Sequence, residues 1–97
     1  MKEVTQNVLA EVGKERAYQD RKWGGPDTDD KNQPADWNGY VIMYQGEAMR
    51  AVSAGDGAAY RAKMLKVAAL AVAAVEAYDR GVFGPLAVPA SAALPVN

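Results

Sequence analysis

The chain has no cysteine and no histidine. The first absence excludes disulfides, thiolate zinc sites and cysteine nucleophiles, and it suits a reducing compartment such as a bacterial cytosol. The second removes the usual general base near neutral pH and the commonest metal ligand. Serine is confined to Ser53 and Ser91, with no base to activate either. Hydrolytic chemistry would therefore have to rest on carboxylates and a hard cation such as Mg²⁺. A basic surplus is missing too. The net charge of −1 and pI near 5.3 argue against binding long nucleic acids. The longest apolar run, residues 67–75, is too short to span a bilayer, and the opening Met-Lys-Glu-Val-Thr-Gln-Asn lacks the apolar stretch of a signal peptide. These features predict a cytoplasmic protein with no membrane contact.

What is present is helical periodicity. A chain of 97 residues makes one domain. It would bury roughly 65% of its unfolded surface, so further burial by self-association is expected. Val4, Val8 and Val12, with Leu9 beside them, predict a first helix over about residues 2–22. Gly13 inside it costs about 1 kcal/mol relative to alanine and suggests close packing. Gly24-Gly25-Pro26 stops that helix, and a polar loop with Asp27, Asp29 and Asp30 runs on to Gln33. Pro34 opens a second helix, with Asn32 or Gln33 near its cap; Trp37, Tyr40, Val41, Tyr44, Ala48, Ala51 and Val52 mark its apolar face. Ile42 and Met49 lie off that face, leaving a second apolar surface for a partner.

Gly55-Asp56-Gly57 breaks the second helix, and Asp56 can cap a third over about residues 58–80. Tyr60, Met64, Val67, Ala68, Ala71, Val75 and Tyr78 form one stripe of it, and Leu65, Ala69, Val72 and Ala73 make the opposite side apolar as well. A helix apolar all round is central, or shared between subunits. The predicted architecture is thus all-α: three main helices in residues 1–81. Residues 82–97, with Pro85, Pro89 and Pro95, are expected to be an extended tail packing on the domain or on a neighbouring subunit.

Two stretches could carry chemistry. Asp27, Asp29 and Asp30 offer hard oxygen ligands, but the glycine and distant glutamate of a calcium loop are missing, and a solvated turn is the preferred reading. In residues 15–25, Arg16 and Asp20 are spaced to pair along a helix, as are Glu15 and Gln19, next to Trp23. One reading is a salt-bridged surface with Trp23 as a lid on the core. The other is a polar cluster beside an aromatic plate that Trp37, Tyr40 and Tyr44 extend, suited to a ribose-phosphate and a base.

The run Glu15-Arg16, Gln19-Asp20 and Lys22-Trp23-Gly24, then Asp36-Trp37, then residues 66–80, resembles small phage and actinobacterial proteins described as MazG-like nucleotide pyrophosphohydrolases. The similarity covers residues 8–81. It implies packed antiparallel helices assembled as dimers or tetramers. MazG-like enzymes hold Mg²⁺ with a Glu-x-x-Glu on one helix and a Glu-x-x-Asp on the next. Laid on this chain, the first pair falls on Glu47 and Arg50, and the second on Lys63 and Lys66. Only Glu47 keeps its acid. Arg50, Lys63 and Lys66 could instead meet phosphate directly, through charge-assisted hydrogen bonds. The plainer alternative is a set of solvated helix charges.

The resemblance therefore implies a non-catalytic protein that binds a phosphorylated nucleotide, needs no cofactor and forms a homo-oligomer. Its expected ligand residues are Arg16, Gln19, Asp20, Trp23, Trp37, Tyr44, Glu47, Arg50, Lys63 and Lys66. In its small, compact character the chain is similar to unrelated phage proteins that sequester cyclic nucleotides or cyclic ADP-ribose-type immune signals. By that analogy it is expected to act as an anti-defence sponge in the host cytoplasm. Two alternatives stand beside it. One is a working Mg²⁺-dependent pyrophosphohydrolase using Glu11, Glu15, Asp20 and Glu47; the other is a helical module that blocks a host protein.

Overall fold

A computed structural model describes residues 2–84 of the chain, and these form helices joined by short turns, with no strand among them. In order they are α1 (Glu3–Trp23), α2 (Pro26–Asp29), α3 (Pro34–Ser53) and α4 (Gly57–Asp79). The three long helices start and stop close to the sequence signals. The loop expected after α1 differs: Pro26 sits in its first turn and winds residues Pro26–Asp29 into the short α2.

Each boundary has a local cause. Gly24 ends α1 in the left-handed conformation, φ 99°, and its N–H donates to the Asp20 carbonyl at 2.9 Å. Pro34 begins α3, where the backbone N–H of Gln33 donates to the Asp36 carboxylate at 2.8 Å. Asp56 caps α4 by accepting from the Ala59 N–H at 3.0 Å, which satisfies a donor that the first helical turn would otherwise leave open.

Helix α4 is the centre: it contacts each of the other three helices, most extensively α3 and then α1. The ion pair between Glu47 and Lys63, and the packing of Trp37 against Leu70, Ala73 and Ala77, show α3 and α4 running antiparallel. The pairs Glu11–Arg61 and Glu15–Lys66 climb together, so α1 runs parallel to α4. Successive long helices therefore alternate in direction, α1 against α3 and α3 against α4, and the parallel helices α1 and α4 pack on each other.

The core is small and built from small residues. Ala69, Ala73 and Ala77 recur every four residues on α4 and are fully buried with Leu70, against Trp37, Ala48 and Ala51 of α3. Val41, Tyr44 and Ala74 pack around this cluster, together with Val82 and Phe83 of the turn after α4. That turn, closed by a Gly84 N–H to Gly81 carbonyl bond at 3.2 Å, occupies the start of the segment expected to be an extended tail. The rest of that tail, residues 85–97, lies outside the described residues.

Of the two apolar sides read on α4, the stripe from Tyr60 to Tyr78 faces away from the core. Val75 and Tyr78 are 60% and 59% exposed, and Tyr60, Met64 and Ala71 are exposed with them. The alanine side won because it admits the α3 backbone closely, which the larger stripe does not. On α1 only Val12 of the valine stripe is buried, while Val4, Val8 and Leu9 stay exposed. Ile42 and Met49 are 66% and 65% exposed, away from the α3 core face. Among the described residues no helix is long and apolar enough to cross a membrane.

Leu70 carries the largest fully or nearly fully buried side chain of α4 in this core. Replacing it by alanine leaves a cavity in a site with little else to collapse into it. Leu70→Ala should lower the unfolding free energy by about 2–5 kcal/mol in urea titrations. A loss below about 1 kcal/mol would contradict this core.

Candidate functional site

Where α2 and the start of α3 meet the ends of α1 and α4, the helices leave a cavity of about 410 Å³. Its walls are largely aromatic: Trp23 from the end of α1, and Trp37, Tyr40 and Tyr44 along one side of α3, with Met43 and Leu70. Trp37 and Tyr40 meet edge to face, ring centroids 6.2 Å apart, so they hold each other's orientation. Thr28, Asp29 and Asn32 supply the polar wall. An apolar cavity of this size with a few convergent polar groups is the ordinary form of a small-molecule site.

The charged residues expected at the site fall into two clusters. The first lies beside Tyr44. Lys63 Nζ sits 5.6 Å and Lys66 Nζ 6.0 Å from the centroid of that ring, and Lys66 also stands 5.4 Å from Tyr18. Lys63 pairs with Glu47 at 2.7 Å, and Lys66 with Glu15 at 3.3 Å. The hydrogen bond from Lys63 is the main reason that Glu47 titrates below its ordinary value, and it raises Lys63 in turn. Arg50 is exposed, forms no ion pair among the described residues, and acts on Glu47 as a weaker positive charge.

The second cluster is centred on Arg16, whose side chain is mostly buried. Its Nη1 donates to Asp20 at 2.9 Å; its Nε and Nη2 reach the same Glu76 oxygen at 3.2 and 2.9 Å; and Asp29 stands 3.7 Å from Nη2. These bonds outweigh the burial that opposes its charge, and Arg16 is held above its ordinary pKa. Burial pushes the Asp29 carboxyl up, against the pull of Arg16.

Of the ten residues expected to bind ligand, Trp23, Trp37 and Tyr44 line the cavity. Glu47, Lys63 and Lys66 stand together beside Tyr44. Arg16 and Asp20 form a structural ion cluster instead, behind the cavity's Asp29 wall. Gln19 is buried, does not line the cavity, and finds no partner for either amide atom among the described residues. The spacing of Gln19 along α1 turned it inward with Val12, the only other residue of that helix to be buried.

Sequence reasoning passed over Asn32, Met43 and Leu70 as cavity residues, and treated Asp29 as one of three similar aspartates. Only α2 separates them: Asp29 turns inward to Arg16, while Asp30 turns to Arg80. The alternative carboxylate set also disperses. Glu11 pairs with Arg61, Glu15 with Lys66, Asp20 with Arg16 and Glu47 with Lys63. Among the described residues no three metal-ligating side chains converge. No protein-family model, curated protein or solved structure matches the chain.

The cross-helix pairs make stability depend on pH in a defined direction. Hydrogen bonds from Arg61 and Lys63 hold Glu11 and Glu47 below their ordinary values. A carboxylate depressed by folding stabilises the fold above its unfolded pKa, about 4.3, and loses that contribution as pH falls through the folded value. Asp29, raised by burial, works in the opposite sense and opposes folding as it ionises. Thermal midpoints should therefore fall below about pH 4.5, and in a Lys63→Met, Arg61→Met double variant part of that acid-side decline should be absent. An unchanged decline would remove these pairs from the stability account.

Proposed function

We propose that this chain is a non-catalytic nucleotide-binding protein on a MazG-like scaffold, with a base in the aromatic cavity and phosphate at Lys63 and Lys66. One observation carries the reading. Tyr44 belongs both to the cavity wall and to the lysine pair, so a single ring is shared by an aromatic pocket and two cations. A nucleotide has the same layout, a flat apolar base one sugar away from an anion. Stacking on aromatic rings is worth about 1–3 kcal/mol per base, and charge-assisted hydrogen bonds about 1.5–3 kcal/mol. Phosphate would exchange with Glu15 and Glu47, and partly exposed ion pairs of that kind cost about 1 kcal/mol or less to give up.

The pairing of Glu47 with Lys63 supports the register of the resemblance, since it sets the retained acid of one helix opposite the first replaced acid of the next. Cations in those places favour holding phosphate over activating water. The biological role that follows is sequestration of a phosphorylated nucleotide, including cyclic immune signals, by a phage protein in the host cytoplasm. Sequestration at nanomolar affinity needs about −12 kcal/mol, more than one open cavity of this kind provides, and so favours a site closed by self-association. The exposed Met64, Val75 and Tyr78 face of α4 supports that assembly.

Calorimetry against nucleoside mono- and triphosphates and cyclic dinucleotides tests the binding. Tyr44→Ala and Lys66→Ala should each weaken it by about 10-fold or more, with no dependence on added Mg²⁺. Absence of heat from every nucleotide overturns the reading; turnover that stops on chelation replaces it with the pyrophosphohydrolase. For assembly, light scattering should show a multimer that Val75→Glu reduces to monomers.

A further inference from the structure

Asp29 is the charged residue of the cavity lining, and its one ion pair, with Arg16 at 3.7 Å, leaves its hydrogen-bonding capacity open. It is 8% exposed and takes none of the hydrogen bonds made among the described side chains; Arg16 spends its closer contacts on Asp20 and Glu76, and Asp20, Asp30 and Arg80 also act on the charge of Asp29. A carboxylate so placed is an acceptor with open lone pairs in a desolvated wall, and leaving it unmatched is costly.

Beside it on the same wall is Asn32, one turn further along the chain. The Tyr40 hydroxyl donates to Asn32 Oδ1 at 3.3 Å, which occupies the acceptor end of that amide and leaves its Nδ2 group as a donor. The wall thus offers one donor and a two-oxygen acceptor side by side, facing an aromatic slot.

Base edges answer to that pattern differently. Guanine presents a carbonyl acceptor followed by two adjacent N–H donors, on N1 and the 2-amino group, so the donors can lie against one carboxylate while the carbonyl takes the amide. Adenine and cytosine place a ring-nitrogen acceptor next to their amino group, and that lone pair would face the carboxylate. Uracil has a single ring N–H flanked by two carbonyls, one of which would do the same.

We propose that the cavity selects guanine nucleotides, with Asp29 accepting from N1–H and the 2-amino group and Asn32 donating to the carbonyl. This rests on the nucleotide-binding reading above and names the base it takes. Arg16 is a positioning residue here, holding α2 against α1 and α4 through Asp29 and Glu76.

The test is calorimetry of the full chain with GMP, IMP and AMP. IMP keeps N1–H and the carbonyl but lacks the 2-amino group, so it should bind about 10-fold or more weaker than GMP, with AMP weaker still. Asp29→Asn, whose fold is verified by circular dichroism, should bring GMP down to the IMP level while AMP, freed of the carboxylate facing its ring nitrogen, binds no more weakly than before. Binding of GMP and AMP with equal affinity overturns the guanine assignment and leaves the nucleotide reading standing. If none of the three binds, the guanine assignment falls, and the nucleotide reading falls with it when the triphosphates and cyclic dinucleotides are silent as well.

Discussion

The structure depends on the closeness of approach that α4 allows. Ala69, Ala73 and Ala77 put a smooth, narrow ridge at the centre of the fold, and the bulk of the core is supplied from outside it by Trp37 and by Leu70. Close backbones gain dispersion contacts over a long line but exclude little apolar area per residue. The fold therefore has few side chains to spare, and α1, which buries only Val12 and Gln19, is held chiefly by charge. Glu11, Glu15 and Arg16 each reach across to α4, at Arg61, Lys66 and Glu76.

That arrangement also explains where the cavity lies. Wide rings cannot enter a seam spaced for alanine, so the aromatic residues of α3 gather at its opening end. Trp37 fits by lying against Leu70 and the alanines, while Tyr40 and Tyr44 are left half out, facing Trp23. The lysines of α4 occur further along the same seam, where their ammonium groups stand over the Tyr44 ring. Packing economy and a layered aromatic-to-cationic surface come from one choice of residue on the central helix.

Much of this was readable from the chain. The helix limits followed from Gly24, Pro34 and Asp56, because caps and breakers act within a few bonds and need no tertiary partner. The face of α3 was equally plain, since Trp37, Ala48 and Ala51 repeat at helical spacing. The face of α4 was not. A helix apolar on every side carries no periodic signal, and hydrophobicity alone points to Val75 and Tyr78 over the smaller alanines that are buried. The aromatic members of the candidate site could be picked out by type, whereas Lys63 and Lys66 were reached only by laying the acid pattern of the resembled family on the chain. Asp29 could not be told from Asp27 and Asp30, because what distinguishes it is a turn of helix that brings one of three like carboxylates under Arg16.

The join between α1 and α2 rests on two glycines with positive φ. Gly25, at φ 68° and ψ −156°, occupies a region closed to other residues, and a Cβ on Gly24 would come within 2.5 Å of the Thr28 hydroxyl. This pivot carries Trp23 on one side and the Asp29 wall on the other, yet contributes nothing to the alanine seam. A lineage could thus exchange the short segment after the pivot and reshape the polar wall of the cavity without re-solving the packing of the long helices. The polar wall of the cavity and the alanine seam are encoded in separate stretches of the chain, free to drift at different rates.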